Sequence, residues 1–400
     1  MKRVIIIGGS LGGLFAANLL NQAGWDVQVF ERVGDELSER GAGIVTHAEL
    51  FEVLKKIGIS IDDDIGIEIL SRRTLDQFGQ ILCERNYPQI LTAWGRLFGL
   101  LKKKLPPGQY TSGKTLGSIR QLGEKVIAEF TDGTSADGDL LIGADGIRST
   151  VRAQYLPSAM PQYAGYVAWR GLVEEGELSV ATHDSIFGHF SFCLPPREQI
   201  LGYPVAGAYN ALEAGQRRYN FVWYRPADDE ELRRLSTDGS GKVHDNGIPP
   251  PLISPAVLKE IRTTANAVLA PQFAELVART ALPFFQPIYD LQTPNLVFGR
   301  VVLLGDAAYV ARPHCGMGVT KAAGDAVALA TLLASLGIDA ALEQYNQLRT
   351  SYGAGIVKHA QHLGAYMQAQ IKTGEEQEMA EKYRTPEAVM RETAVPPQFN

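Results

Sequence analysis

The first thirty residues alternate between apolar runs and polar turns in the order strand, helix, strand. Residues 4–7 are a run of β-branched side chains, typical of a strand buried on both faces. The glycine-rich stretch 8–13 follows at once, and apolar positions then recur at helical spacing as far as Gly24. The next alternating segment ends at Glu31. This pattern predicts a parallel strand that runs into a helix N-terminus, the geometry that holds a dinucleotide pyrophosphate on backbone N–H groups.

The spacing between the glycine turn and Glu31 is a second signal. Glu31 lies 23 residues after Gly8, close to the distance at which a carboxylate accepts hydrogen bonds from an adenosine ribose. Ser10 stands where the usual G-x-G-x-x-G pattern has its second glycine, although Gly9 and Gly12 keep the turn small. The fingerprint predicts a dinucleotide site without separating NAD from FAD, and a ligand-free glycine turn is the alternative.

The pattern changes further along the chain. Residues 125–131 and 136–142 predict an antiparallel hairpin around Asp132-Gly133 that leads into Asp145-Gly146. Residues 163–285 are aromatic-dense and alternate at strand spacing, which predicts an antiparallel sheet domain inserted into an α/β host.

The α/β pattern then returns. Residues 300–304 predict a buried strand that leads into Gly305-Asp306. Helical periodicity follows from about 319 to 336 and again from 340 to about 372. The polar tail from Thr373 is expected to be only partly ordered.

Composition narrows the class of protein. Four hundred residues suggest two domains or one elaborated domain, and 45% hydrophobic with 20% charged residues is typical of a globular protein. A net charge of −6 gives no footprint for nucleic acid or an anionic membrane. The sequence has no signal-peptide pattern, and its three cysteines are scattered, so we expect a cytoplasmic protein without membrane association, disulfides or a metal site.

Three glycine-and-acid signatures stand together: residues 8–13 with Glu31, Asp145-Gly146 and Gly305-Asp306. Their order resembles the class A FAD-dependent monooxygenases, the aromatic hydroxylases of the 4-hydroxybenzoate hydroxylase type, over about residues 1–355. Within that group, residues 8–10, 165–171 and 312–314 look most like the dihydroxypyridine hydroxylase subgroup.

The resemblance implies an α/β fold with a discontinuous Rossmann-like FAD-binding domain, an inserted β-rich substrate domain and C-terminal helices. The implied boundaries are 1–70, 90–160 and 286–340 for the FAD-binding domain, 71–89 and 161–285 for the substrate domain, and 341–400 for the C-terminal helices and tail.

The resemblance also implies FAD as the cofactor and NADH or NADPH as co-substrate. Glu31 would contact the ribose, Asp306 the ribityl chain, and the loop from Pro313 the isoalloxazine ring. For Asp145, a helix-capping role ahead of Ser149 is the alternative. The residues expected to bind FAD are Gly8, Ser10, Leu11, Gly13, Glu31, Arg32, Gly43, Asp145, Asp306, Pro313, Gly316, Met317 and Gly318.

The chain departs from the family pattern at three places. Tyr309 replaces the usual histidine after G-D-A-A, and Thr320 replaces the usual asparagine of the next motif. Trp94 stands where relatives tend to carry a flavin-contacting Arg or Gln. Arg96 is a candidate substitute, with a surface charge as the alternative.

The family reaction uses reduced nicotinamide to reduce FAD, and O₂ then adds at flavin C4a to give the hydroperoxide that transfers one oxygen to an electron-rich ring. Since a phenolate-like ring is attacked far better than a phenol, a proton acceptor is expected near the substrate hydroxyl. The candidates are His47, Tyr203 and His314, with His189 less favoured. Their alternatives are a capping or surface role for His47 and core packing for Tyr203. Arg170, in an apolar strand, is expected to form a salt bridge.

The reaction implied is hydroxylation of a small aromatic or N-heteroaromatic, hydroxypyridine-like substrate by O₂. Two alternatives stay open: the same fold running epoxidation, Baeyer–Villiger or decarboxylative hydroxylation chemistry, and a flavin-binding sensor without turnover. A homodimer is possible on this pattern, and no nucleic-acid partner is expected.

Overall fold

The computed structural model describes residues 1–34, 43–61, 65–245 and 247–397. Its helices are Leu11–Gln22 (α1), Ala48–Ile57 (α2), Trp94–Lys103 (α3), Thr150–Tyr155 (α4), Val180–Ile186 (α5), Asp229–Leu235 (α6), Pro255–Val268 (α7), Pro271–Arg279 (α8), Gly318–Ser335 (α9), Ile338–Gly364 (α10), Gly374–Tyr383 (α11) and Pro386–Glu392 (α12). Its strands are Arg3–Ile7 (β1), Asp26–Phe30 (β2), Gly43–Val45 (β3), Ile67–Leu75 (β4), Ile81–Ala93 (β5), Tyr110–Thr111 (β6), Leu116–Leu122 (β7), Lys125–Phe130 (β8), Ser135–Gly138 (β9), Leu140–Gly143 (β10), Gln162–Glu174 (β11), His189–Cys193 (β12), Gln199–Val205 (β13), Arg218–Pro226 (β14), Phe284–Asp290 (β15), Val297–Phe298 (β16) and Val301–Leu303 (β17).

The first sheet has the strand order β16-β17-β10-β1-β2-β6. β1 pairs in parallel with β2 and with β10, and β10 pairs in parallel with β17. The central position of β1 explains its apolar run, because Val4, Ile5 and Ile6 are fully buried. The chain reaches β2 on one side of β1 and β10 on the other, so the carboxyl ends of β1 and β10 form a topological switch point, where ligands bind in open α/β sheets.

The second sheet has the order β15-β11-β14-β13-β12-β4-β5-β3 and carries an apolar cluster on each face. On one face, Trp169 and Trp223 pack in a cluster with Phe273 of α8. On the other face, Tyr203 belongs to a cluster with Met390 of α12. Alternating side chains of a strand point to opposite faces, so the two clusters lie on opposite sides of this sheet.

The predicted hairpin arm over 136–142 is wrong in its second half. Ser135–Gly138 pairs with β8 in a small sheet, whereas Leu140–Gly143 leaves it and joins β1. Asp139 lies between the two strands and forms two hydrogen bonds with Arg3. Its backbone N–H donates to the Arg3 carbonyl at 2.8 Å, and its carboxylate accepts from the Arg3 N–H at 2.7 Å. These bonds turn the chain from the small sheet into the first sheet.

The prediction that residues 163–285 are mainly β-rich missed the helices α7 and α8. Each begins with a proline in its first turn, and Ser254 caps α7 through its side chain. Val257, Ile261 and Ala265 recur at helical spacing and are buried. These helices cover the outer face of the second sheet.

The expectation of a partly ordered tail from Thr373 is also wrong over the described residues. Thr373 and Glu376 form a capping box at the start of α11, and the side chain of Thr385 caps α12. Val389 and Met390 of α12 are buried against the second sheet. Burial of these apolar side chains docks a segment whose composition alone reads as polar. Residues 398–400 lie outside the described part of the chain.

Candidate active site

The signature segments meet at one edge of the first sheet, because the parallel strands β1, β10 and β17 all end there. The Gly8 N–H donates to the Phe30 carbonyl at 2.9 Å, and the Ala144 N–H donates to the Ile7 carbonyl at 2.8 Å. The Leu304 N–H donates to the Gly143 carbonyl at 3.0 Å. The turns that follow these strands are therefore held together by backbone hydrogen bonds.

The glycines of the first turn are required by close backbone contacts. Gly8 has φ +106°, and a Cβ there would collide with the Ala144 carbonyl. A Cβ at Gly13 would collide with the Gly8 carbonyl oxygen. The first bond within α1 runs from the Leu14 N–H to the Ser10 carbonyl at 3.0 Å, so the N–H groups of the turn before it lie at a helix N-terminus, where anions bind. The first turn is thus shaped for close approach of an anionic group.

Glu31 fixes the shape of this turn. Its Oε2 accepts from the Gly9 N–H at 2.8 Å, and its Oε1 accepts from the Val33 N–H at 2.9 Å. Tyr110, which the sequence analysis missed, donates its hydroxyl to the Gly9 carbonyl at 3.1 Å. The acid at the end of β2 and the glycine turn after β1 form one hydrogen-bonded unit.

A cavity of about 1120 Å³ lies between the first sheet and the inner face of the second sheet. The predicted site residues that line it are Arg32, Gly43, Asp145, Tyr203, Asp306, Pro313, His314, Gly316 and Gly318. The predicted residues outside its lining are Gly8, Ser10, Leu11, Gly13, Glu31, His47 and Met317. The Tyr203 ring packs directly against Gly43, and a Cβ at Gly43 would collide with that ring. Residues 35–42, which precede Gly43, lie outside the described part of the chain.

Asp145 caps a helix and also faces the cavity. Its Oδ2 accepts from the N–H groups of Thr150 at 2.7 Å and Val151 at 3.2 Å. Its Oδ1 is buried and has no hydrogen-bond partner among the described residues, and burial raises the pKa of the carboxyl group. One oxygen of Asp145 therefore caps the helix, as the alternative interpretation expected, and the other makes no hydrogen bond within the described residues.

Asp306 lies just beyond β17 and forms an ion pair that sequence reasoning missed. The Lys321 Nζ lies 2.6 Å from its Oδ1. The Lys321 side chain is 1% exposed, whereas that of Asp306 is 53% exposed. Asp306 therefore holds a buried cation with one oxygen and keeps access to the cavity.

His314 belongs to the loop before α9 and is buried between two tyrosines. Its Nε2 lies 2.7 Å from the Tyr166 hydroxyl, and its ring meets Tyr224 edge-on with centroids 4.5 Å apart. Burial lowers the pKa of His314 to about 3, and the Arg312 charge adds to this, so the ring is neutral. Tyr166 has no other hydrogen-bond acceptor within the described residues, so its hydroxyl donates to Nε2 and the imidazole proton resides on Nδ1. That Nδ1 is buried and unpartnered in the described part of the chain.

A buried ion pair stands behind Tyr166. Arg312 binds Asp290 through Nη2 to Oδ2 at 2.8 Å and through Nε to both carboxylate oxygens at 3.1 Å. Its guanidinium carbon lies 5.6 Å from the centroid of the Tyr166 ring. The charge-assisted pair fixes Arg312 and thereby the surroundings of Tyr166.

His47 lies behind the cavity wall, at the N-cap position of α2. Its Nδ1 is 3.0 Å from the Thr320 hydroxyl, and its Nε2 is 3.3 Å from the Ala394 carbonyl. A carbonyl only accepts, so Nε2 carries the proton and Nδ1 accepts from Thr320. Burial lowers the pKa of His47 to about 4. The substitution of the usual asparagine by Thr320 thus supplies a partner for His47.

Tyr203 and Arg170 bring polar groups to the second-sheet side of the cavity. The Tyr203 hydroxyl makes no hydrogen bond within the described residues, and burial raises its pKa, opposed by the charge of Arg170. The salt bridge expected for Arg170 is wrong over the described residues, where its buried Nε has no partner. A cation and a phenol without a charged partner in the described chain therefore lie on this side of the cavity.

The remaining family departures have structural roles. The Tyr309 hydroxyl donates to Asp325 at 2.8 Å, and Asp325 is also bound by Arg349. Trp94 stacks on Phe98, with centroids 4.9 Å apart. Arg96 donates to the Asn210 carbonyl at 3.3 Å and is not part of the cavity lining.

Comparisons with known proteins agree with this geometry. The chain matches the family described as FAD binding domain over residues 1–65 and 287–360, and the FAD binding domain-like family over residues 163–290. It is 34% identical over 338 residues to the 2,6-dihydroxypyridine 3-monooxygenase of Paenarthrobacter nicotinovorans, an alignment that covers 82% of each chain. The chain belongs to the class A FAD-dependent monooxygenases.

Other members of the family are also similar to this monooxygenase. The 6-hydroxynicotinate 3-monooxygenase of Pseudomonas fluorescens is 27% identical and covers 84% of this chain and 83% of its own. The solved structure of 2,6-dihydroxypyridine-3-hydroxylase from Arthrobacter nicotinovorans matches with a TM-score of 0.86 at 30% identity, over 93% of this chain and 95% of that one.

Family membership confirms the predictions of a mixed α/β fold with a split FAD-binding domain, of FAD as the cofactor and of NAD(P)H as co-substrate. Within the described residues, no helix combines the length and apolarity needed to cross a bilayer.

Proposed function

We propose that this monooxygenase hydroxylates a small, electron-rich N-heteroaromatic substrate of the hydroxypyridine type. The observation that carries the proposal is the cavity wall formed by Tyr203, Arg170 and His314, where aromatic surface surrounds a few polar groups. The names of two relatives, a 2,6-dihydroxypyridine and a 6-hydroxynicotinate monooxygenase, support the substrate class.

The residues at the first-sheet edge fit FAD. A Cβ at Gly8 or Gly13 would collide with a backbone carbonyl. This need for glycine is what a site requires where backbone N–H groups approach a pyrophosphate. We assign the pyrophosphate contacts to Gly8, Ser10, Leu11 and Gly13, and the ribose contacts to Glu31 and Arg32.

The residues nearer the cavity would hold the rest of the cofactor. Asp306 keeps half of its side chain exposed for the ribityl chain, and Asp145 offers an unpartnered Oδ1. Gly43 would border the ring from the second-sheet side, and the isoalloxazine would rest beside Pro313, Gly316, Met317 and Gly318, at the N-terminus of α9. When bound, FAD supplies the electron transfer and the activation of O₂.

The protein groups around the substrate have distinct proposed roles. Arg170 stabilises a substrate in its anionic, phenolate-like form, because its guanidinium has no carboxylate partner in the described chain. Tyr203, a neutral phenol, hydrogen-bonds the substrate hydroxyl, and when that hydroxyl loses its proton to solvent the phenol donates to the resulting oxygen anion. His314 offers its Nδ1–H to a substrate acceptor such as a ring carbonyl. These groups orient the ring and favour its reactive ionisation state.

His47, a candidate proton acceptor on sequence grounds, is proposed to be a positioning residue. It lies behind Thr320 and not on the cavity surface, so we assign it an indirect role: it holds the Thr320 hydroxyl and the Ala394 carbonyl in place at the cavity edge.

The proposal is tested by NAD(P)H oxidation with a panel of hydroxypyridines, hydroxybenzoates and phenols, followed by product mass spectrometry. We expect the strongest stimulation with a hydroxypyridine and a product that carries one added oxygen on an intact ring. A ring-opened or decarboxylated product indicates the alternative oxygenations. Absence of stimulated oxidation across the whole panel would overturn the proposal in favour of a binding role.

A further inference from the structure

Arg72, in strand β4, is a fully buried cation without a carboxylate partner among the described residues. Its side chain is 0% exposed, and its guanidinium lies over the Tyr87 ring at 4.2 Å and the Phe190 ring at 5.2 Å. Phe190 lines the cavity. Burying an unpaired charge is costly unless hydrogen bonds compensate it. The acceptors of the Arg72 guanidinium therefore show which segment of the protein it binds.

Those acceptors are mainly carbonyls at the C-terminal end of α12. The Arg72 Nη1 donates to the Met390 carbonyl at 3.0 Å and to the Thr393 carbonyl at 2.6 Å. Its Nη2 donates to the Ala394 carbonyl at 3.3 Å and to the Gln89 side chain at 2.7 Å. The last carbonyls of a helix carry partial negative charge and lack partners within the helix. Arg72 therefore binds the end of α12 through both charge and geometry.

Ala394 connects this anchor to the candidate active site. Its carbonyl is shared by Arg72, Gln89 and the His47 Nε2, and its N–H donates to the His314 carbonyl at 2.7 Å. It has φ +57°, a left-handed conformation that is uncommon for alanine. Thr393 and Ala394 both line the cavity.

We propose that residues 385–397, the C-terminal strap, complete the substrate cavity, and that Arg72 is the positioning residue that docks the strap against His47 and the loop at His314. The proposal deepens the proposed function, on which it rests. Arg72 holds the carbonyl that fixes the tautomer of His47. Ala394 packs so closely against Gly316 that a Cβ added to this glycine would lie 3.1 Å from the Ala394 Cα. An undocked strap opens the cavity to water.

The first test measures docking in the FAD-loaded protein without any substrate. Arg72→Met removes the donors but keeps an apolar chain of similar length, and we expect amide hydrogen exchange across residues 385–397 to rise by about tenfold or more. Arg72→Lys retains the charge with a single donor group and is expected to fall in between. Arg391→Ala is the matched control: this arginine of α12 is 55% exposed and pairs only with Glu392 in the described chain, so exchange should match the wild type.

The second test measures the consequence for the reaction. With Arg72→Met we expect FAD to be retained, the KM for the aromatic substrate to rise by about tenfold, and more NAD(P)H to be consumed without hydroxylated product. Arg72→Lys should recover part of the coupling between oxidation and hydroxylation. Wild-type exchange in the strap, or unchanged KM and coupling with a loosened strap, would overturn the proposal.

Variants of Ala394, which Arg72 binds, test the docking independently in case Arg72→Met does not fold. Ala394→Pro removes the N–H that bonds His314 and cannot adopt a positive φ, so it should loosen the strap while Arg72 remains. Ala394→Gly, which accommodates the left-handed conformation, should keep the strap protected from exchange. If both variants give the same exchange pattern, the docking proposal fails. Since exchange needs no substrate, it separates failure of this proposal from failure of the substrate assignment.

Discussion

The side chains of His47 and Thr320, 273 positions apart in the sequence, meet in a hydrogen bond of 3.0 Å between Nδ1 and Oγ1. The bond joins the N-terminus of α2 to the first turn of α9, beside the loop proposed to carry the flavin ring. Together with the Ala394 carbonyl on Nε2, it leaves His47 neutral and fully engaged. The polar side chains that we propose meet the substrate are those of Tyr203, Arg170 and His314.

Replacing His47 with Gln should flatten the dependence of stability on pH. The pKa of His47 is lowered from 6.5 to about 4 in the folded protein, so the unfolded chain binds more protons between these pH values. The contribution of His47 to the free energy of unfolding is therefore fully present above pH 6.5. It is lost as the pH falls to 4, by about 3 kcal/mol in total. Urea unfolding of wild type and variant across this range measures the difference. A wild-type pH slope in the variant would contradict the assignment.

Removing the Asp306 carboxylate should release FAD. Asp306→Ala deletes the proposed ribityl contact and strands the buried Lys321 ammonium, so we expect a reduced flavin-to-protein absorbance ratio after purification and a loss of stability of about 1–3 kcal/mol. Asp306→Asn keeps a hydrogen-bond acceptor and should retain more FAD. An unchanged absorbance ratio in Asp306→Ala would rule out the cofactor contact.

Removing the Tyr203 hydroxyl should impair hydroxylation and spare cofactor binding. Tyr203→Phe keeps the ring that packs against Gly43, so flavin content should match the wild type. We expect kcat/KM for the aromatic substrate to fall by about 10²-fold, the range typical of losing one hydrogen-bond donor to a reacting oxygen anion. Stopped-flow or steady-state rates with product analysis measure this effect, and wild-type rates with full coupling would show that the hydroxyl has no role.

Adding one methyl group at Gly13 should abolish FAD binding. Gly13→Ala would favour helix α1 by about 1 kcal/mol from intrinsic propensity alone, but its Cβ collides with the Gly8 carbonyl oxygen. The control is Gly99→Ala in α3, where a Cβ meets nothing within 4 Å. Flavin content and thermal unfolding should be normal in the control. Normal flavin content in Gly13→Ala would contradict the pyrophosphate assignment.

The first sheet and its ligand edge could be predicted from the sequence because their signals are local. An apolar run, a glycine turn and an acid at fixed spacing specify β1, α1 and β2 within thirty residues. Parallel strands end at the same edge, so Asp145 and Asp306 could be placed beside this turn once their strands were recognised.

The buried polar partners could not be predicted because they depend on long-range packing. Nothing near Asp306 in the sequence indicates that the Lys321 side chain is 1% exposed, and Tyr166 meets His314 across 148 positions. Arg72 reads as a surface charge in an alternating strand. The polar composition of residues 373–392 hid two capped helices whose few apolar side chains decide where they dock.

The most direct test of the proposed reaction is a turnover experiment under isotopically labelled O₂ with NAD(P)H and a hydroxypyridine. We expect a ring-intact product that carries one labelled oxygen atom, formed only when all three components are present. A product that takes its oxygen from water, or NAD(P)H oxidation that yields only hydrogen peroxide with every hydroxypyridine, would contradict it.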